Sequence, residues 1–468
     1  MLEAVANACC RAATRKEGDM SAEFDRSEGD VNLGDRRRNW QSAHLNDATR
    51  ELLAEDARWF FHQSMSTPCL NAVVAAQGSW LTDISGRRIL DFHGNSLHQV
   101  GYGHPKVVAA IRDTLEQLPF SPRRYTNRHA VELARRLCSS APIDDAKLLF
   151  APGGTAAIGM ALKLARVVTG RFKTISMWDS FHGASLDAVS IGGESVFRKG
   201  IGPLLPGAEH VPPCDPGQCA FGCGGQCALR CVDYLDYCMK KEGDVAAVIV
   251  ETVRCTDVQI PPLAYYQRLR EICTRHGALL ILDEIPIALG RTGSLFAIER
   301  YGIEPDMLVI GKGLGGGSMP LAALIARSNF DVAQHISLGH YTHEKNPLAC
   351  AAGLAVLDVI EEEGLVARSR VLGEACLARL KRLAAELPVI AEVRGAGLLL
   401  GIELRDMGDR SATDLAEAVL YRCLSDGLSF KVGQGNVLVL APPLNVLEEE
   451  LWWALDCIAA ALRIEIAS

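Results

Sequence analysis

Lys312 is delivered by an apolar run, Met307-Leu-Val-Ile310, into the glycine-rich turn Gly311-Lys312-Gly313-Leu-Gly-Gly-Gly317. Lysine ordinarily stays in water, so a lysine at the end of a buried strand needs a chemical reason. Its amine is suited to a Schiff base with a carbonyl cofactor, because desolvation lowers the amine pKa and frees the nucleophilic form. A second apolar run, Leu279-Leu-Ile-Leu282, ends on Asp283-Glu284. A carboxylate at that place can keep a pyridinium nitrogen protonated, which makes the ring an electron sink. A Schiff-base lysine and a strand-end aspartate together are what pyridoxal 5'-phosphate (PLP) requires. The plainer reading, a turn-capping aspartate and a surface lysine, does not explain the segments that accompany the pair.

Two further segments supply what a phosphorylated ring needs. Ala151-Pro-Gly-Gly154-Thr155 joins a predicted strand to a predicted helix over 157–168. A helix N-terminus has free backbone N–H groups and a positive dipole end, so this turn can hold a phosphate dianion. Gly153 and Gly154 allow close approach, and Thr155 adds a hydroxyl. Ser180-Phe181-His182-Gly183 follows the predicted strand 174–177. An aromatic there can stack on a flat cofactor, although a core phenylalanine with a solvent-facing histidine fits as well when the segment is taken alone.

The positioning elements follow from the hydrophobic pattern. Strands are predicted at 147–150, 174–177, 245–250, 279–282 and 307–310, with helices between them such as 157–168 and 265–276. That alternation implies a mainly parallel sheet with helices on both faces. Before it, 52–61 reads as helical, and Asp83-Ile-Ser-Gly86 turns a hairpin between short strands. After Pro347 one long helix, 348–363, leaves this domain, followed by mixed helices and short strands such as 397–404 and 437–440. The expected layout is a charged, disordered leader (1–44), an N-terminal part of a small domain (45–104), a large cofactor domain (105–347) and a C-terminal small domain (348–468).

The bulk composition narrows the function. A chain of 468 residues with 49% hydrophobic and 22% charged residues is an ordinary globular protein with room for two or more domains. A formal charge of -8 gives no basic surface for nucleic acid. No apolar run reaches membrane-spanning length and no signal peptide is evident, so a soluble, cytoplasmic protein is expected. Six of the sixteen cysteines cluster as Cys214, Cys219, Cys223, Cys227, Cys231 and Cys238. A zinc or iron–sulfur site is one reading, but the paired Cys-x-x-Cys spacing is missing. A cysteine-rich loop with a short amphipathic helix is the other, and no metal is assigned.

The order of Gly154-Thr155, Phe181-His182-Gly183, Asp283-Glu284, Gly290-Arg-Thr-Gly293, Lys312 and the stretch from Thr342 to Pro347 resembles the class III aminotransferase family. The resemblance runs from about residue 50 to the end. It implies the α/β PLP-dependent transferase fold of type I, with a large mainly parallel-sheet domain and a small α+β domain made from both chain ends. It also implies a homodimer, or a tetramer of such dimers, with shared sites and a small-molecule amine substrate. By this resemblance Lys312 and Asp283 are catalytic. The cofactor is held by Gly154, Thr155, Phe181, His182, Glu251, Asp283 and Lys312, and Thr342 reaches the neighbouring subunit's phosphate.

Departures from the family pattern bear on the reaction. Ala156 stands where the family has Glu, and Asp283-Glu-Ile-Pro286 replaces Asp-Glu-Val-Gln. Glu251-Thr-Val-Arg254-Cys255-Thr256 lacks the family's second acid. Val439 occupies the place, two residues before Ala-Pro-Pro-Leu444, where the family often carries an arginine for an α-carboxylate. Losing that fork removes a charge-assisted pair from a keto-acid half-reaction. The segments from Cys255 to Pro262, Asp283 to Gly290 and His340 to Pro347 resemble lyases of this fold, in particular an ammonia-lyase acting on a small amino-alcohol phosphonate. Arg124 and Arg254 are candidates for holding the phosphonate, against a structural ion pair for each. His182, His340 and His343 could protonate a leaving group, and none is assigned. The alternatives are an ω-aminotransferase passing a terminal amine to a keto acid, a phospho-lyase on an aminoethyl phosphate ester and a non-catalytic regulator. The last is disfavoured by the intact Lys312 and Asp283.

Overall fold

The computed structural model describes residue 27, residues 33–223 and residues 227–467. Among the described residues the first helices are Asp35–His44 and Asp47–Trp59. The former corrects the expectation of a disordered leader reaching residue 44. Trp40 is buried and packs with Leu45, Ile89, Tyr421 and Leu424. One aromatic among Arg36, Arg37 and Arg38 leaves no visible apolar period, because residues nearly four hundred positions away supply the burial. The remainder of that leader, apart from residues 27 and 33–34, lies outside the described residues.

A hairpin follows, with strands β1 (Val73–Gln77), β2 (Trp80–Asp83) and β3 (Arg88–Asp91) in one small sheet. Its turn forms as the Asp83 carboxylate accepts the N–H groups of Ser85 and Arg87, both at 2.9 Å. Strand β13 (Leu428–Ser429) pairs in parallel with β3, so the two ends of the chain meet here.

The central sheet has seven strands. They are β4 (Ala146–Ala151), β5 (Lys173–Met177), β6 (Ala208–Val211), β7 (Val245–Glu251), β8 (Leu279–Asp283), β9 (Met307–Ile310) and β10 (Ala322–Arg327), in the spatial order β4-β10-β9-β8-β7-β5-β6. Only β10 runs antiparallel to its neighbours. Every residue of β7, β8 and β9 is buried, as expected of parallel strands covered on both faces. The sequence pattern missed β6 and β10. Ala322–Arg327 is alanine-rich and helical by local preference; the slot between β4 and β9 makes it a strand.

The helix Pro347–Glu362 leaves this domain and packs on the helices Pro105–Gln117 and Arg128–Ser140. A second small sheet, β11 (Ile390–Ala396), β12 (Leu399–Leu404), β15 (Val437–Leu440) and β14 (Lys431–Gly433), is antiparallel throughout. Among the described residues no helix is long and apolar enough to cross a membrane. Cys214, Cys219, Cys223 and Cys227 lie on the irregular connection after β6, with Cys231 and Cys238 on the helix Arg230–Glu242. The sulfurs of Cys214 and Cys227 are 3.7 Å apart. Among the described residues no group of three or more His, Cys, Asp or Glu is arranged to hold a metal.

Candidate active site

Strands β7 and β8 run side by side with Glu251 opposite Asp283, so two carboxylates reach the same edge of the sheet. Ligand sites of parallel sheets gather at the carboxyl ends of the strands. Both acids are buried, and each is held by donors, as buried charges require. Asp283 Oδ1 accepts the Ile285 N–H at 3.0 Å, and Oδ2 pairs with His182 Nδ1 at 2.8 Å. Glu251 Oε1 accepts the Phe181 N–H at 2.9 Å, while its buried Oε2 has no hydrogen-bond partner among the described residues. Burial pushes the Glu251 carboxyl up to about 7, with the Asp283 charge adding to it and His182 opposing.

The segments expected to form a phosphate cup also come together. The helix Gly154–Thr169 begins without a side-chain cap, which leaves its first-turn N–H groups to an external acceptor. A Cβ on Gly154 would sit 2.7 Å from Ile285 Cδ1. Gly183 has φ +130°, and a Cβ there would sit 2.3 Å from Thr155 Oγ1. Three segments far apart in sequence therefore close on one another: Gly153–Thr155, Phe181–Gly183 and Asp283–Ile285. His182 is buried behind Asp283, so it is not the solvent-facing histidine of the plainer reading. Phe181 is half-buried, its ring 4.4 Å from that of Phe197 and tilted by 40°.

Lys312 is exposed in the single chain. Strand β9 stops at Ile310, and Lys312 opens a 3-10 turn with φ +44°, which carries it off the buried strand. The next residue has no room for a side chain, since a Cβ on Gly313 would lie 1.9 Å from Gln99 Oε1. Gln99 thus lies against the turn that aims the lysine.

These groups fit PLP. Uncapped helix amides and a hydroxyl suit its phosphate, a buried carboxylate backed by histidine suits its ring nitrogen, Phe181 and Ile285 suit a flat ring, and a reachable amine suits its carbonyl.

The remaining candidates are dispersed. Arg124 and Thr342 are exposed on separate loops, and neither makes a hydrogen bond or ion pair with the Asp283 group in this chain. Their loops touch, through Asn127 Nδ2 donating to the Lys345 carbonyl at 2.9 Å and the Phe120 and His343 rings at 5.5 Å. Arg254 is buried and gives a fork to Asp257 through Nε (2.7 Å) and Nη2, with Asp179 at 3.7 Å and Asp215 at 3.8 Å. Its charge is balanced inside the fold, at the wall of a cavity of about 470 Å³ that Trp178, Asp179 and Asp215 also line.

The structure adds residues that the sequence reading left out. The loop from His93 to Gln99 follows β3 and carries Asn95 at φ +46° and Ser96 at φ +58°. Non-glycine residues in that region store strain, which tends to be kept at functional sites. Ser96 Oγ lies 3.7 Å from Cys255 Sγ. His93 is pushed down to about 4 by burial, with Asp91 opposing and the positive charges of Lys431, His98 and Lys312 adding to the fall. The dense polar run His93-Gly-Asn-Ser-Leu-His-Gln99 beside a hairpin was the available signal.

Residues 61–462 match the family described as aminotransferase class-III. The chain is 47% identical over 466 residues to the (R)-1-hydroxy-2-aminoethylphosphonate ammonia-lyase of Vibrio splendidus (strain 12B01), a match covering 96% of this chain and 97% of that protein. It is 37% identical to the acetylornithine aminotransferase of Methanopyrus kandleri, over 84% of this chain and 94% of that one. Among solved structures, the (S)-enantioselective omega-transaminase of Thermomicrobium roseum has a TM-score of 0.82 at 29% identity, covering 90% of this chain and 99% of that chain.

Proposed function

Because the chain belongs to the class III aminotransferase family, is an enzyme with PLP as its cofactor and acts on an amine-bearing substrate, we propose that it is an ammonia-lyase. Its substrate would be (R)-1-hydroxy-2-aminoethylphosphonate, and its products phosphonoacetaldehyde and ammonia. The observation carrying this reading is the 47% identity, over nearly the full length of both chains, to a protein of that name. The surroundings of Val439 add support. It is buried on β15 in an apolar cluster with Val253, Val258 and Leu399, so no guanidinium serves a keto-acid carboxylate from that position.

The roles of the chain's own groups follow. Lys312 Nζ would hold the cofactor's carbonyl carbon until the substrate amine takes that place, and would then remove a proton from the amine-bearing carbon. Asp283, fixed by His182, would keep a proton on the ring nitrogen. The first-turn amides of the helix Gly154–Thr169, with Thr155, would hold the phosphate; Phe181 and Ile285 would flank the ring, with Glu251 beside Asp283. When bound, PLP supplies the electron sink for charge on the carbon next to the amine. The substrate hydroxyl would leave from the adjacent carbon as water by taking up the proton that Lys312 removed, and the enamine product would add one water and release aldehyde and ammonia. No keto acid is consumed. The proposal includes a homodimer in which Thr342, exposed in the single chain, faces the neighbouring phosphate site.

A second reading is an ω-aminotransferase using the same groups, with a keto acid accepting the amine. The family description and the aminotransferase and omega-transaminase likenesses support it, and as a set they weigh toward transamination more than toward elimination. One experiment separates the two. The holoenzyme is mixed with (R)-1-hydroxy-2-aminoethylphosphonate without keto acid, while ammonia and the cofactor absorbance are followed. Continuous ammonia release with the aldehyde-form band retained supports the lyase. A single bleaching that is reversed only by added keto acid replaces it with the aminotransferase. In the same assay Lys312→Ala is expected to lose the lysine-bound cofactor band, and an unchanged spectrum would remove Lys312 from its role.

A further inference from the structure

The cysteine-rich connection after β6 takes no part in the chemistry above, yet it folds back on itself sulfur to sulfur. Cys214 is buried shortly after β6 ends, and Cys227 is half-buried 13 residues further on. Both are free thiols, and their sulfurs stand 3.7 Å apart. A short closing movement would bring them to the roughly 2 Å of a disulfide. Cys231 lies beside them in the first turn of the helix Arg230–Glu242. Its hydrogen bond with Cys214 holds the Cys231 thiol below the usual range, against its burial and with help from backbone N–H groups.

Cys214 also meets the candidate active site from behind. With Ser180, Glu251 and Arg254 it lines a small cavity of about 30 Å³. Ser180 directly precedes Phe181, whose N–H donates to Glu251. The residue after Cys214 is Asp215, which accepts the N–H groups of Gly217 and Gln218, both at 2.9 Å. Its Oδ2 stands 3.8 Å from Arg254 Nη2. Arg254 comes just after β7, the strand that ends on Glu251. A displacement of Cys214 is therefore passed through Asp215 and Arg254 to the end of β7.

We propose that Cys214 and Cys227 are a redox modification site, joined by a small-molecule disulfide such as glutathione disulfide, and that the bridge slows turnover. Cys227 is the sulfur an oxidant reaches, being half-buried where Cys214 and Cys231 are buried. It attacks the small disulfide, forms a mixed disulfide and expels one thiolate, which takes up the Cys227 proton. Cys214 then attacks the Cys227 sulfur and expels the second small thiol. The Cys214 proton passes by way of Cys231 to that leaving sulfur. Two protein thiols lose two electrons to become one disulfide, and one small disulfide is reduced to two thiols. Added thiol reverses the exchange. The rate falls because the end of β7 shifts, and a misplacement of about 1 Å away from the reacting atoms can cost about 100-fold. The inference rests on the PLP-enzyme reading for its effect on rate, and not on which amine is the substrate.

The test treats the reduced holoenzyme with glutathione disulfide and maps its cysteines by mass spectrometry. The expected product carries a Cys214–Cys227 bridge, which dithiothreitol removes. Rates are measured with an amine that the reduced wild type turns over, so failure of the phosphonate reading leaves this test standing. In the bridged enzyme kcat is expected to fall by roughly tenfold or more and to recover with dithiothreitol. Cys227→Ser should keep the rate of the reduced wild type and ignore glutathione disulfide. Cys214→Ala is the second variant and should be equally insensitive to the oxidant. The lysine-bound cofactor band verifies that each variant is folded and loaded. A Cys214–Cys231 bridge, no bridge at all, or a bridged enzyme that keeps its rate would each overturn the proposal. So would an equal loss of rate in oxidised Cys227→Ser, since another of the sixteen cysteines would then be responsible.

Discussion

Asp283 and Glu284 are adjacent in sequence, yet their environments differ. Asp283 faces His182, whereas Glu284 is fully buried and accepts the N–H groups of Ala297 at 2.6 Å and Ile298 at 2.8 Å. Burial pushes the Glu284 carboxyl up from 4.5 to about 7, against those donors. The folded state then keeps a proton that the unfolded chain releases, so this group's contribution to stability falls as pH rises from 4.5 to about 7. Glu284→Gln does not titrate. Its melting temperature is expected to lie below wild type at about pH 4, where only the amide replacement counts, with the gap narrowing by about pH 8. Thermal scans across that range check it, and parallel curves would mean that Glu284 titrates alike in both states. The buried strands that lead to Asp283 and Lys312 could be read from sequence because each is a contiguous apolar run. The tie between Asp283 and His182 could not, since 101 positions separate them.

At the scale of elements, the proposed phosphate cup depends on contact between the start of the helix Gly154–Thr169 and the segment after β5. Gly183 is the tightest point, with φ +130° and Thr155 Oγ1 where a Cβ would be. Gly183→Ala is expected to cost about 1–3 kcal/mol through backbone strain and overpacking. Because the clash falls on Thr155, the loss should appear as PLP affinity lowered by about tenfold or more. Absorbance titration of the apoenzyme with PLP measures this, and an unchanged affinity would place the phosphate elsewhere. The strands β7, β8 and β9 were legible because both of their faces are covered, which makes them continuous apolar runs. Strand β10 was not, because its alanines carry no strand signal until two neighbouring strands are in place.

For the whole molecule, the meeting of the chain ends joins the N-terminal hairpin to the C-terminal region. Trp40 anchors the helix Asp35–His44 against Tyr421 and Leu424. Trp40→Ala is expected to cost about 3–5 kcal/mol, the range for large aromatics in a core. Chemical denaturation of the holoenzyme measures it; a loss within about 0.5 kcal/mol, as for a surface change, would return this helix to the status of a loose leader. Taken alone, the sequence determined the class of fold and the cofactor chemistry, because parallel strands and their terminal residues are written in short contiguous runs. The tertiary structure alone decided which distant residues share the site. It brought Glu251 beside Asp283, set Gln99 against the Lys312 turn and committed Arg254 to Asp257. The physical reason is that strand order and cross-strand register are set by packing between segments, and nothing in a segment's own pattern records its neighbour.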